Sequence, residues 1–337
     1  MAFQTGTATS MGNFFTQLRA FATSNAGFTD GGTDTINTNT VHRLSKAGIH
    51  WSFEETLTVT LQASPLLTEN YARMRMTYSQ PTSGTGFTDS IPIGQPRFSC
   101  FGTFANAGPY TGHIFYTEGD AVHAALEVFP NVFQHLSFGS ITKFGTWTGG
   151  EYLTAGSYQR IQSSTRQYAS AFSQLPFSDV EGSGHLPGTG TGFDSPCIGF
   201  VRYDQTGTSL DDFAPIGSFN LNNQRARMCN MIEPKDIQNN SMLSGMLFDA
   251  PNQGNLRTPL FPMYVRLRDY NANTPATLDA YFVAGVVPGV RMCNISELNA
   301  KEIINTNWQT YPVVQKIGVS NVAPISDSLG FAYERIA

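Results

Sequence analysis

Residues 112–152 read GHIFYTEGDAVHAALEVFPNVFQHLSFGSITKFGTWTGGEY. Three short apolar runs follow one another, His113–Thr117, Ala121–Phe129 and Val132–Gly139. Glu118-Gly119-Asp120 and Pro130-Asn131 separate them. Gly, Asp, Pro and Asn supply the backbone angles that tight reversals need. The runs are rich in Val, Phe, Ile and Tyr, so the stretch predicts a three-strand antiparallel meander. It ends in Trp147-Thr148-Gly149-Gly150-Glu151-Tyr152. It reads as a packed structural module, with no reaction visible in it.

On the N-terminal side, Phe14, Leu18 and Phe21 fall at helical spacing in SMGNFFTQLRAFATS, with Phe15 and Ala22 beside them. This predicts a helix over Ser10–Ser24, with Thr9 or Ser10 as its N-cap and Asn25-Ala26-Gly27 as its stop. The helix is expected to pack over one sheet. GFTDGGTDTINTNT reads as a loop. Beyond it the period is two. Trp51, Phe53, Leu57, Val59 and Leu61 alternate with polar positions, apart from a slip at Glu54-Glu55. Met74, Met76 and Tyr78 alternate with Arg73, Arg75 and Thr77. Such strands bury one face and leave the other wet or facing a partner. Phe98, Cys100 and Phe104 suggest another short strand.

On the C-terminal side, the Gly-rich stretch 178–196 reads as a long loop, and the Asn-rich stretch 204–255 as irregular surface chain. Leu260–Leu267 reads as a strand with Pro262 near its start. The apolar run Leu278–Val287 belongs in the core, and Pro288-Gly289 is expected to turn it into Val290–Asn294. Trp308–Lys316 and Leu329–Arg335 complete the strands. The expected fold is mainly β, an antiparallel sandwich-like core with one short N-terminal helix and long irregular loops. Residues 1–177 hold the helix and meander, 178–259 the loops, and 260–337 the strands that complete one composite domain.

Composition narrows the function. The chain has 337 residues, 25 Phe and 13 Tyr, yet only 13% charged residues, where soluble domains average about 25%. Such a surface favours wide, weakly hydrated contacts between proteins, as in an assembly. The net charge is −5 without a Lys/Arg run, so no nucleic-acid partner is expected. The first residues lack a signal-peptide pattern, and no stretch approaches the roughly 18 apolar residues of a membrane helix. A soluble protein made in a cytoplasm, with no membrane partner, is expected. Cys100, Cys197, Cys229 and Cys293 lie far apart and read as buried small apolar residues, in neither a disulfide framework nor a zinc site.

These residues carry a resemblance. GHIFYTEGDAVHAALEV, then VFQHLSFG, then Lys143-Phe144-Gly145-Thr146-Trp147-Thr148-Gly149-Gly150-Glu151-Tyr152 resembles a block found in a family of tailed-bacteriophage virion structural proteins. TGTATSMGNFFTQLRAFATSNAGF is similar to the helical opening of such proteins. Val287–Arg291, Asn307–Lys316 and Leu329–Arg335 are similar to their closing pattern, in the same order. Residues 153–260 are not covered. Gln134 departs from the pattern, which has a basic residue there. The resemblance implies a non-enzymatic homo-oligomer built into a virion after synthesis in the bacterial host cytoplasm. It implies neck, connector or tail proteins as partners and no cofactor. Lys143, Trp147, Gly149, Gly150 and Tyr152 are the expected fold and assembly motif. A neck or collar at the head–tail junction is the first expectation, and tail or baseplate the second.

His113, His123 and His135 sit one on each strand of the meander, where pairing could gather them as metal ligands, with Glu127 on the face of His123. The expectation is that they satisfy backbone carbonyls or cross-strand partners instead, and that no metal is bound. No GxSxG, HExxH or P-loop is present, and Gly188-Thr189-Gly190-Thr191-Gly192 lacks a flanking strand or helix. Asp211-Asp212 and Glu54-Glu55 are adjacent pairs on loops or strands, whereas a glycosidase pair is defined by a cleft between its two acids. No enzyme is expected. Trp147 and Tyr152 could stack on sugar rings, which is the basis of the alternative, receptor-binding reading. Trp147 is nevertheless expected to plug the apolar face of the sheet.

Overall fold

The computed structural model describes residues 1–36, 38–57, 69–78, 80, 99–104, 108–155, 158–159, 172–173, 199–204, 213–216, 226–229, 259–269, 280–295, 298–312 and 329–335. The chain opens with strand β1 (Ala2–Ala8) and helix α1 (Met11–Ala26). Five antiparallel strands follow, paired in chain order as one sheet: β2 (Thr29–Ile36), β3 (Asn39–Lys46), β4 (Ile49–Leu57), β5 (Glu69–Thr77) and β6 (Ser99–Phe104). The meander is β7 (Tyr110–Glu118), β8 (Ala121–Phe129) and β9 (Val132–Ser140), antiparallel throughout. It continues through β10 (Thr142–Lys143) and β11 (Gly149–Ala155), beyond which β12 (Tyr158–Gln159) and β13 (Phe172–Ser173) form a separate pair. The remaining strands are β14 (Gly199–Tyr203), β15 (Phe213–Ile216), β16 (Ala226–Cys229), β17 (Phe261–Asp269), β18 (Ala280–Asn294), β19 (Ile303–Ile304), β20 (Trp308–Pro312) and β21 (Leu329–Glu334).

These form a long sheet in the order β1-β7-β8-β9-β11-β14-β15-β16-β17-β18-β21-β20-β19. β10, the continuation of β9, pairs with β18, so the ladder from β9 through β11 to β18 returns on itself. The fold is mainly β and antiparallel with a single described helix, as the strand and helix patterns predicted.

Helix α1 forms where its stripe and caps place it. Ser10 is extended, and its Oγ accepts from the Asn13 N–H at 3.1 Å. Gly27 ends the helix in the left-handed region at φ 67°, a conformation cheap only without a Cβ. The helix does not lie over one sheet as expected; it lies between two. Phe15 stacks on Phe53 of β4 at 5.1 Å, while Phe14 and Phe21 meet Phe115 of β7 at 5.3 and 5.6 Å. Phe14, Phe15, Leu18 and Phe21 are buried there, each worth roughly 1.5–3 kcal/mol.

The meander is therefore a middle layer. Val122, Ala124, Leu126 and Val128 of β8 face the helix and the five-stranded sheet. Ala121 and Ala125 face the other way, into a second core with Val265, Val287, Met292, Phe331 and Tyr333. A strand buried on both faces loses the polar alternation that marks a wetted sheet. The same correction applies to β5, where Arg75 and Thr77 are buried as well as Met74 and Met76.

Other expectations are corrected. The segment read as a loop, 27–40, contains β2, which pairs with β3 through a register shift at Gly31-Gly32. Its polar residues suit an outer strand with an exposed face. The slip at Glu54-Glu55 is absent from the backbone, since β4 pairs with β5 without a shift. Val59, Leu61, Phe98, the loop 178–196 and most of 204–255 lie outside the described residues. Within the latter, β15 and β16 join the long sheet instead of running irregularly. Pro288-Gly289 does not reverse the chain, because β18 runs through it. β17 pairs with β18 up to Val286 and again at Arg291 and Met292, with a register shift between, and β21 pairs from Val290, so the missing Pro288 donor falls in the unpaired gap. No helix among the described residues is long and apolar enough to cross a membrane.

Candidate functional site

Strand alternation separates the three histidines. On β7, His113 points to the helix side, where its ring meets Phe14 at 5.8 Å and Phe115 at 4.4 Å. His123 and His135 point to the opposite side, where both rings pack on Tyr333. A shared three-histidine metal site is thus not assembled. Among the described residues no group of three or more His, Cys, Asp or Glu is placed to hold a metal. Glu127, on the His123 face, is engaged by Lys301 Nζ at 2.7 Å and by the Asn131 N–H at 2.9 Å.

His123 and His135 each sit in a closed set of hydrogen bonds. His123 Nε2 lies 2.8 Å from the Pro288 carbonyl oxygen, which can only accept. The proton is therefore on Nε2, and Nδ1 accepts from Ser137 Oγ at 2.8 Å. The Ser137 oxygen in turn accepts from the Tyr152 hydroxyl at 2.6 Å. His135 repeats the logic: Nε2 donates to the Pro312 carbonyl at 2.9 Å, and Nδ1 accepts from the Tyr333 hydroxyl at 2.7 Å. All five side chains are essentially inaccessible.

Burial keeps this network neutral. Loss of hydration drives the His123 imidazole down to about 3 and that of His135 to about 4, with their carbonyl partners opposing only in part. The same burial pushes the Tyr152 and Tyr333 phenols well above their usual value. The Ser137–His123 contact has the spacing of a nucleophile and its base. Yet the far imidazole nitrogen is spent on a carbonyl, and the Ser137 hydroxyl is itself buried. The arrangement ties β8, β9 and β11 to β18, β20 and β21.

His113 contrasts with this. Both its ring nitrogens are buried without a hydrogen-bond partner, and burial lowers its imidazole to about 4. Its other neighbour is Gly6 of β1, opposite it in the ladder. A Cβ on Gly6 would stand 2.7 Å from the imidazole, so the strand lies flush on the ring.

The five motif residues surround one corner. Gly149 has φ +116°, and a Cβ there would stand 2.3 Å from the Arg202 carbonyl oxygen of β14. Gly150, also at positive φ, leaves room for the Lys143 stem and the Trp147 ring. Lys143 Nζ donates to the Trp147 carbonyl at 3.0 Å and lies over the indole at 5.4 Å. The indole Nε1 donates to the Ala284 carbonyl of β18 at 3.1 Å, and its ring meets Tyr203 edge-on. Trp147 is therefore half-buried against the second core, as its position after the meander predicted. Tyr152 is fully buried and unavailable for sugar stacking. Phe144, at the tip of the turn, is exposed.

Sequence reasoning missed Ser137, Pro288, Pro312 and Tyr333 as partners of the histidines. A two-residue Pro130-Asn131 turn, which pairs Phe129 with Val132, would by itself put Phe138 opposite His123. A register shift between Glu127 and Phe129 brings Ser137 there instead. Cys293 is buried, with its thiol pushed up to about 12, as expected for a small apolar residue. The side chains of Cys100, Cys197 and Cys229 lie outside the described residues.

Neither the protein-family models nor the curated protein sequences give a match to this chain.

Proposed function

We propose that this chain is a structural subunit of a tailed-bacteriophage virion, placed at the neck or collar of the head–tail junction. It works by self-association and by contact with neighbouring particle proteins. One observation carries the reading. The separate sequence blocks that resemble the virion family converge on two buried hydrogen-bond sets whose imidazoles both pack on the Tyr333 ring: His123, His135 and Ser137 from the meander, Tyr152 from its ending, and Pro288, Pro312 and Tyr333 from the closing pattern. The resemblance thus follows one cooperating unit instead of scattered short strings. The two sets are neutral and closed to solvent, which suits a mechanical role and gives a substrate no acid, base or nucleophile.

A second reading, a tail or baseplate component that engages a host carbohydrate, draws on the exposed Phe144 beside the half-buried Trp147 and Tyr203. Gold-labelled antibody imaging of intact particles separates the two. Label at the head–tail junction supports the neck or collar. Label at the distal tail favours the second reading, and absence of label from purified particles overturns both.

A further inference from the structure

Among the described residues the outer edge of β1 is unpaired, although Arg335 lies over the Phe3 ring at 5.4 Å. β1 pairs with β7 on one side, and among the described residues no strand pairs with its other edge. Sheet edges normally carry charge, proline, a bulge or extreme shortness, because a bare ladder invites another strand. Of the other edges, β2 and β19 follow that rule, while β6 (SCFGTF) does not. β2 carries Asp30 and Asp34 and a register shift, and β19 is two residues long. β1 reads AFQTGTA, with no charge and no proline, and Gln4 and Thr5 exposed.

The regular part of the edge is Ala2–Gly6, where the ladder to β7 runs unbroken before the shift between Gly6 and Ala8. At the far end, the Thr7 carbonyl is already taken by Gln17 Nε2 at 2.9 Å. Five residues symmetric about Gln4 remain. In an antiparallel pairing of two such edges, Ala2 opposes Gly6, Phe3 opposes Thr5, and the two Gln4 side chains meet on the two-fold axis. Aromatic against β-branched is a favourable cross-strand pair, and facing amides can hydrogen-bond to each other. No like charges oppose.

We propose that β1 is a homotypic interface: the β1 edges of two copies pair antiparallel about Gln4 and join their sheets across a two-fold axis. This deepens the self-association part of the reading above and does not depend on where in a particle the protein lies.

Gln4→Cys and Thr5→Cys variants of the full chain test it under mild oxidation, beside the unmodified protein as baseline for its native cysteines. Directly opposed residues lie about 4.5–5.5 Å apart between Cα atoms, within disulfide reach. The two Thr5 positions are diagonal, about 7–8 Å apart, beyond it. Both positions are exposed, so neither change threatens the fold. The expected result is at least tenfold more disulfide dimer from Gln4→Cys than from Thr5→Cys. Equal yields would overturn the register and the interface. Light scattering on the unmodified protein separates the two failures. No Gln4→Cys dimer from an oligomeric protein rejects the β1 edge alone. No dimer from a monomeric protein rejects self-association as well.

Discussion

The Tyr333 hydroxyl donates to His135 Nδ1 at 2.7 Å, joining β21 to the last strand of the meander across 198 residues of chain. The other ring nitrogen donates to the Pro312 carbonyl, so one imidazole holds three strands at fixed distances. Water cannot replace the bond to Tyr333, because His135 and Tyr333 are both buried. The contact links the two parts of the chain that enclose the second core.

Tyr333→Phe keeps the ring and leaves His135 Nδ1 without its donor. An orphaned buried acceptor costs about 1–3 kcal/mol. Urea unfolding is expected to show a lower midpoint at an unchanged denaturant slope. An unaltered midpoint would mean that the bond contributes nothing to stability.

Acid should unfold the protein through its histidines. His113, His123 and His135 have folded values of about 4, 3 and 4, against 6.5 when unfolded. Between these limits the unfolded chain binds protons that the folded chain does not. Their contribution is complete above pH 6.5 and is lost as pH falls toward the folded values. Three such groups give a slope approaching about 4 kcal/mol per pH unit. Chemical unfolding from pH 8 down to pH 4 measures it, and a flat profile across that range would refute the account.

His113→Leu is expected to stabilise the protein by about 1–3 kcal/mol, because it removes two buried ring nitrogens that have no partners. It should also reduce the acid slope by one proton. A thermal melt at pH 7 and the same pH series check both effects.

Two glycines of the motif corner should respond differently to alanine. Gly145 has φ +76° with open space around it, so Gly145→Ala meets only backbone strain of about 1–2 kcal/mol. Gly149→Ala adds a clash with the backbone of β14 and should cost more than about 3 kcal/mol. Equal melting temperatures for the two variants would contradict the close approach of β11 to β14.

Much of this architecture is local and was legible in the chain. The helix stripe and its Ser10 and Gly27 caps fix α1 within a few residues of their own sequence. Gly119 and Asn131 both take positive φ, at +58° and +61°, which is why the meander turns where their residue types sit. Trp147 likewise falls where a large apolar ring after the last strand has to go. What misled was solvent exposure. Arg75 and Thr77 read as a face either wet or turned to a partner, and residues 29–36 read as a loop, because a lone sequence does not reveal which neighbour covers a strand.

The sequence by itself determined where the helix and the three strands of the meander lie, through side-chain period and turn chemistry that act over a few residues. Only the tertiary structure decided which faces meet. A one-residue register shift turns His123 toward Ser137, strand alternation sends His113 to the other side, and Pro288, Pro312 and Tyr333 arrive from more than 160 residues away. Hydrogen bonds between such distant groups depend on the packing of whole layers, which no local pattern encodes.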